Sequence, residues 1–232
     1  MRSILVVPAD APLALAAALK SEADALAIDL GAGDPDAARR AAPDMLAATK
    51  TSKKHSLALI HPLGSNLADG DLDALFPAPP DAIILPDAIG TQDIQHLGAK
   101  LAAREAENDL PDGSTRILVL VADSPAAIFE LGTLARATRR LIGIGRDESR
   151  LAAGLGLARD VDGESPEPLR FARSLALLAA AAAGAPAYDC AEPGEGARFE
   201  RACAQAARDG FWGKFALTPE QARAINAAFR KR

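Results

Sequence analysis

The sequence predicts a single (β/α)8 barrel spanning residues 1–232, on three observations. Eight short runs rich in Leu, Ile, Val and Ala alternate with longer segments of helical periodicity. The short runs are nearly continuous in apolar residues, as strands buried on both faces of a parallel sheet must be. No Pro/Gly/Ser-rich linker divides the chain, and the turn-rich pieces at 64–71, 77–81 and 108–114 have the length of ordinary connections. A doubly wound open sheet is the alternative. No G-x-G-x-x-G turn follows the first strand, so a dinucleotide site has no support.

Taken in order, strand 3–7 leads to a helix over 11–21 opened by Pro12, and strand 25–30 to a helix over 35–49 opened by Asp34-Pro35. Strands 57–61 and 82–85 precede helices over 67–76 and 91–107. Strand 117–121 feeds a helix over 125–137 that begins with Pro125. After strand 140–144 come a short helix near 149–158, a longer loop at 161–167 and a helix over 166–183. Strands 185–190 and 214–217, with helices over 195–209 and 219–230, complete eight units.

Composition narrows the function classes. Apolar residues form 49% of the 232 and charged residues 25%, the balance of a chain that buries a full core rather than a disordered one. Aromatics are only 4%, so Leu, Ile, Val and Ala must fill that core. A net charge of -5 without a basic stripe argues against nucleic acid, and the closing Arg230-Lys231-Arg232 reads as a solvated tail. No uncharged apolar stretch approaches the roughly 18 residues of a membrane span, and the first apolar run is too short for a signal peptide. A cytoplasmic protein is therefore expected, with Cys190 and Cys203 reduced, buried and lacking metal spacing.

Chemistry in this fold belongs at the C-terminal strand ends. Acids dominate there, and Asp29, His61, Asp87, Asp123 and Asp189 are all expected at one end. A single Asp after a strand often caps the next helix. Asp29, Asp123 and Asp147 or Glu148 differ as a group, because converging carboxylates repel unless protonated, paired or bound to a cation. His61 stands where a general base could sit, although its place before Pro62 favours a turn or cap role. His55 and His96 are expected at the surface, Trp212 in packing, and Lys214 at the opposite end of the barrel in a structural role.

Several of these segments also resemble a known family. The opening Arg2-Ser3-Ile4-Leu5-Val6-Val7-Pro8, the Ala25-Leu26-Ala27-Ile28-Asp29-Leu30 strand, Ile83-Ile84-Leu85-Pro86, Gly210-Phe211-Trp212-Gly213-Lys214 and Thr218-Pro219-Glu220-Gln221 look like the citrate lyase β-subunit family, itself similar to the malyl-CoA lyases. The order of motifs matches over nearly the whole chain. The resemblance implies a magnesium-dependent carbon–carbon lyase or thioesterase acting on short carboxylates or their CoA thioesters, with the metal stabilising an enolate. It also implies a homo-oligomer and a lid segment beyond the last helix.

Carried over position by position, the catalytic set is depleted. The resemblance places a second acid at Gly31, a substrate-gripping Arg at Leu59, a Lys at Asp87, a metal-binding Glu at Ala122 beside Asp123, and a His at Thr218. The metal-binding Asp of the sixth strand falls on Asp147 or Glu148 in one alignment and on Arg150 in another. The expected catalytic set is thus Asp29, His61 and Asp123, with Asp87, Arg146, Arg150 and Thr218 facing substrate. A weakly held magnesium would draw on Asp29, Asp123, Asp147 and Glu148. Two functions are expected: a divergent lyase with weakened or altered activity, or an inactive barrel serving as a binding or assembly subunit.

Overall fold

The computed structural model describes residues 1–135, 137–157 and 165–230. Its strands are β1 (Ser3–Pro8), β2 (Ala25–Asp29), β3 (His55–Leu59), β4 (Ala82–Leu85), β5 (Arg116–Val121), β6 (Leu141–Arg146), β7 (Tyr188–Asp189) and β8 (Gly213–Ala216). All are parallel, in the order β6-β5-β4-β3-β2-β1-β8-β7. A single bridge between Ile144 and Ala187, with the Ile144 amide donating to the Pro186 carbonyl at 2.9 Å, brings the two edges together. The result is a nearly closed eight-stranded barrel.

The helices are α1 (Pro12–Lys20), α2 (Pro35–Thr51), α3 (Ala68–Leu75), α4 (Thr91–Glu107), α5 (Pro125–Glu130), α6 (Glu148–Gly154), α7 (Glu167–Ala183), α8 (Ala197–Asp209) and α9 (Pro219–Ala228). Their starts follow local chemistry. Asp34, Ser124 and Thr218 each accept a backbone amide in the first turn of α2, α5 and α9, and each is followed by a proline whose fixed φ suits that position. Among the described residues, no helix is long and apolar enough to cross a membrane.

Two apolar layers sandwich the barrel wall. Outward-facing Leu5, Leu26, Ile83 and Val119 pack beneath the helices. Inward-facing Ile4, Ala27, Leu57, Ile84, Leu118 and Phe215 fill the interior. Many interior side chains are small, and Tyr188 and Phe215 fill the space they leave, edge to face at 6.4 Å. Glycines make this possible. A Cβ on Gly143 would stand 2.6 Å from the Tyr188 ring, and one on Gly145 2.8 Å from the Phe215 ring. A register shift between Ile117 and Leu118 aligns both glycines with the interior.

Several boundaries differ from expectation. Strand β3 lies two residues earlier than 57–61, because its pairing with β2 runs from Ala25↔His55 to Asp29↔Leu59, so His61 lies beyond the strand. Strand β6 runs on to Arg146 through its pairing with Val121. Strand β7 contracts to two residues, Pro186 having no amide to donate. The helix expected over 125–137 stops at Glu130 and tightens into a 3-10 turn, Leu131–Leu134, while Arg136 lies outside the described residues. Most of the loop expected at 161–167, the end of the helix near 149–158, and Lys231 and Arg232 also lie outside them.

At the N-terminal end of the barrel, a buried ion pair ties α4 to β5 and β6. Glu105 is fully buried and receives both Arg140 guanidinium nitrogens at 2.8 Å, together with the Thr115 and Gly113 amides. Burial alone would raise its pKa. The Arg140 hydrogen bonds and the two amides outweigh that and hold it at about 2 against the usual 4.5. Because the folded-state value lies below the unfolded one, the contribution is complete above pH 4.5 and is lost as pH falls toward 2. Glu105→Gln is expected to lower stability by about 3 kcal/mol at neutral pH by removing the buried carboxylate of the pair, leaving Arg140 the exposed Asp112 and the Thr115 carbonyl. Urea unfolding should show the gap from wild type narrowing across that acid range, and a gap independent of pH would contradict this account.

Candidate active site at the barrel mouth

Asp29 closes β2, and its carboxylate accepts the Gly31 amide at 2.8 Å. Burial raises its pKa, opposed by that bond and by the nearby His61. The side chain enters a 270 Å³ pocket whose walls include Leu59, Ile84, Leu120, Phe215 and Leu217. Leu59 is the register partner of Asp29 on the neighbouring strand, so an apolar side chain stands beside the carboxylate.

Beside it, two residues hold left-handed backbones that favour glycine: Asp87 with φ 54 after β4 and Ala122 with φ 57 after β5. Such strain persists only where the surroundings over-determine it, and functional sites collect it. Here the Asp87 amide donates to Asp123 Oδ2 at 2.8 Å. Asp123 is 3% exposed, and its other oxygen, Oδ1, has no partner among the described residues. Burial pushes this carboxyl up to about 6, and the Asp87 charge adds to the rise. Asp87 itself accepts a hydrogen bond from Arg150.

Asp147 caps α6, taking the Ser149 and Arg150 amides. Glu148 pairs with Arg146, whose guanidinium also donates to Asp189 at 2.9 Å. Thr218 caps α9 and donates to Glu195 at 2.7 Å. Among the described residues, no group of three His, Cys, Asp or Glu side chains is placed to hold a metal ion. A site of three protein carboxylates for magnesium is thus not assembled among the described residues, and Arg150, bonded to Asp87, is a cation beside Asp123.

His61 is held by a buried carboxylate that sequence reasoning missed. Asp71 Oδ2 accepts the His61 amide at 2.9 Å and faces its Nδ1 at 2.7 Å, while Oδ1 accepts Arg39 Nε at 2.9 Å. A legible signal existed: Asp71 occupies the apolar face of α3 with Ala68, Leu72 and Leu75, where an acid must have a partner. The pairing orients the ring and leaves Nε2 free of any described partner, the arrangement a general base requires.

Lys214 pairs with Ser3, the first residue of β1, so its backbone lies at the end opposite the mouth. On its other side it pairs with Asp189, and its Nζ lies 3.0 Å from Glu192 and 3.5 Å from Asp189. Asp189 sits at a C-terminal strand end as expected, yet its carboxylate turns outward to Arg146, Arg173 and Lys214. Both cysteines are free and buried, and burial pushes Cys203 up to about 12.

Comparison with known proteins places this geometry among relatives. Residues 2–219 match the family described as HpcH/HpaI aldolase/citrate lyase. The citrate lyase subunit beta of Haemophilus influenzae is 28% identical, over 98% of this chain and 79% of the relative. The citrate lyase beta subunit of Mycobacterium tuberculosis complexed with oxaloacetate and magnesium superposes with a TM-score of 0.79 at 26% identity, covering 98% of this chain and 96% of that one. The CitE protein of that organism, in complex with magnesium, acetoacetate and coenzyme A, gives 0.79 at 25% identity, covering 100% and 81%. With the barrel, the order of strands and the match across nearly its full length in agreement, the chain belongs to the HpcH/HpaI aldolase/citrate lyase family.

Proposed function

We propose that the chain is a divergent member of this family whose mouth takes a short carboxylate or its CoA thioester, with the magnesium-dependent carbon–carbon lyase chemistry weakened or altered. One observation supports the reading: the acids at the strand ends are engaged by amides or guanidinium groups, and among the described residues no three of them gather into a metal-binding group. The relatives solved with magnesium and oxaloacetate, or with magnesium, acetoacetate and coenzyme A, indicate the ligand classes to try.

In this reading Asp29, Asp123 and His61 are the acid–base groups. Burial and hydrogen bonding already separate them into a raised carboxyl at Asp123 and a ring oriented by Asp71. Arg150 and Thr218 are the polar groups nearest an anion's approach, with Asp87 restraining Arg150 and Arg146 held behind the pocket by Glu148 and Asp189. With Leu59 and Asp87 at positions where the resemblance implies bases, citrate- or malyl-type ligands bind weakly.

A titration followed by calorimetry tests this. Wild-type protein should show no tight magnesium binding, and Arg150→Asp should bind magnesium more tightly by releasing Asp87 and adding a carboxylate. Tight wild-type binding, or no gain in the variant, defeats the reading. In the same instrument malyl-CoA should bind wild type in the millimolar range, and micromolar affinity would show that another base grips the carboxylate.

A second reading, an assembly subunit, has its own support. Phe171 and Leu178 on α7 are 59% and 65% exposed, and Phe129 on α5 is 87% exposed. Phe171, Leu175 and Leu178 share one helix face, an apolar surface that a homo-oligomer would cover. A cytoplasmic location accords with two free, buried thiols. Sedimentation should show an oligomer that Phe171→Glu dissociates, and a wild-type monomer would exclude this surface as a subunit contact.

A further inference from the structure

The ring of helices is breached on one side. Helix α8 packs closely on α9 but barely meets α7, its neighbour on the other side. The gap opens an 820 Å³ cavity on the outer wall of the barrel over β6, β7 and β8, against 270 Å³ at the mouth. Cavities in this size range hold cofactor-sized molecules.

Its floor is a buried ion network that the mouth does not use. Arg146 and Lys214 are 4% and 2% exposed, and Arg173 stacks over the Phe211 ring at 4.6 Å. Asp189 joins all three, at 2.9 Å from Arg146, 3.1 Å from Arg173 and 3.5 Å from Lys214. Glu148 and Glu192 complete three carboxylates against three cations, so the floor is balanced. Asp209, just outside the lining, adds a second partner for Arg173.

The rim is not balanced. Helix α8 turns Arg198, Arg201 and Arg208 to the cavity, and among the described residues no acid beyond those of the floor lines it. Arg198 and Arg201 have no hydrogen bond or ion pair among the described residues, and Arg208 donates to the Gln205 side chain. Among the described residues the cavity carries six basic side chains against three acidic ones, and the surplus is guanidinium, the group whose planar fork matches phosphate oxygens. We infer that this flank cavity is a binding site for an anion bearing one or more phosphate groups, held by Arg198, Arg201 and Arg208 above the Arg146–Asp189–Lys214 floor.

The inference is independent of the chemistry at the mouth, although Arg146 and Cys190 line both spaces. Inorganic pyrophosphate is the probe, titrated against chloride at matched ionic strength and followed by thermal unfolding and calorimetry. The expected result is saturable binding with a raised midpoint. The double variant Arg198→Glu/Arg201→Glu should lose roughly tenfold or more in affinity, and Arg150→Ala at the mouth should bind as wild type does. Both rim positions are exposed, so the double variant should unfold at the wild-type midpoint without the anion. Absence of saturable binding, equal binding by the double variant, or loss of binding in Arg150→Ala would overturn the site.

Discussion

Closing a barrel from strands this poor in aromatic residues depends on how two rings are housed. Ala25, Ala27 and Ala82 leave the interior underfilled, and Tyr188 and Phe215 occupy what would otherwise be a void. Both rings come from β7 and β8, on the side where the barrel's hydrogen bonding thins to one bridge. Packing thus substitutes for the ladder there. The condition is steric: β6 must present bare backbone at 143 and 145, which the register shift in its pairing with β5 brings about.

The same side of the molecule carries most of the buried charge. Ion pairs in a low-dielectric setting stabilise only when every partner is satisfied, and Asp189 meets that condition by accepting from three cations at once. This network fixes Arg146 behind the pocket. The mouth is consequently poor in mobile positive charge, with Arg150 its main adjustable cation. The scaffold, shared with relatives solved with magnesium, here engages its acids with neighbours of the opposite sign.

Alternation and capping made the barrel legible, since period and punctuation are local properties. The end of β3 was displaced because pairing register, a tertiary property, decides where a continuous apolar run such as 57–60 stops counting as strand. That Leu59 and Asp87 are not basic was readable at single positions. What those positions do was not, because the engagement of Asp87 by Arg150 joins residues 63 apart in sequence. Asp71 could have been found by asking why an acid sits on the buried face of α3.

The left-handed backbone at Ala122 has a bearing on how this lineage can change. Ala122 is 1% exposed and packs in the outer apolar layer beneath the helices, while the next residue turns its carboxylate toward Asp87. A glutamate introduced at 122, the residue the family resemblance implies there, would enter that layer rather than the mouth. An acid placed there adds none to the mouth while the turn keeps its form, so at position 122 the backbone, and not the residue type, decides what the site receives.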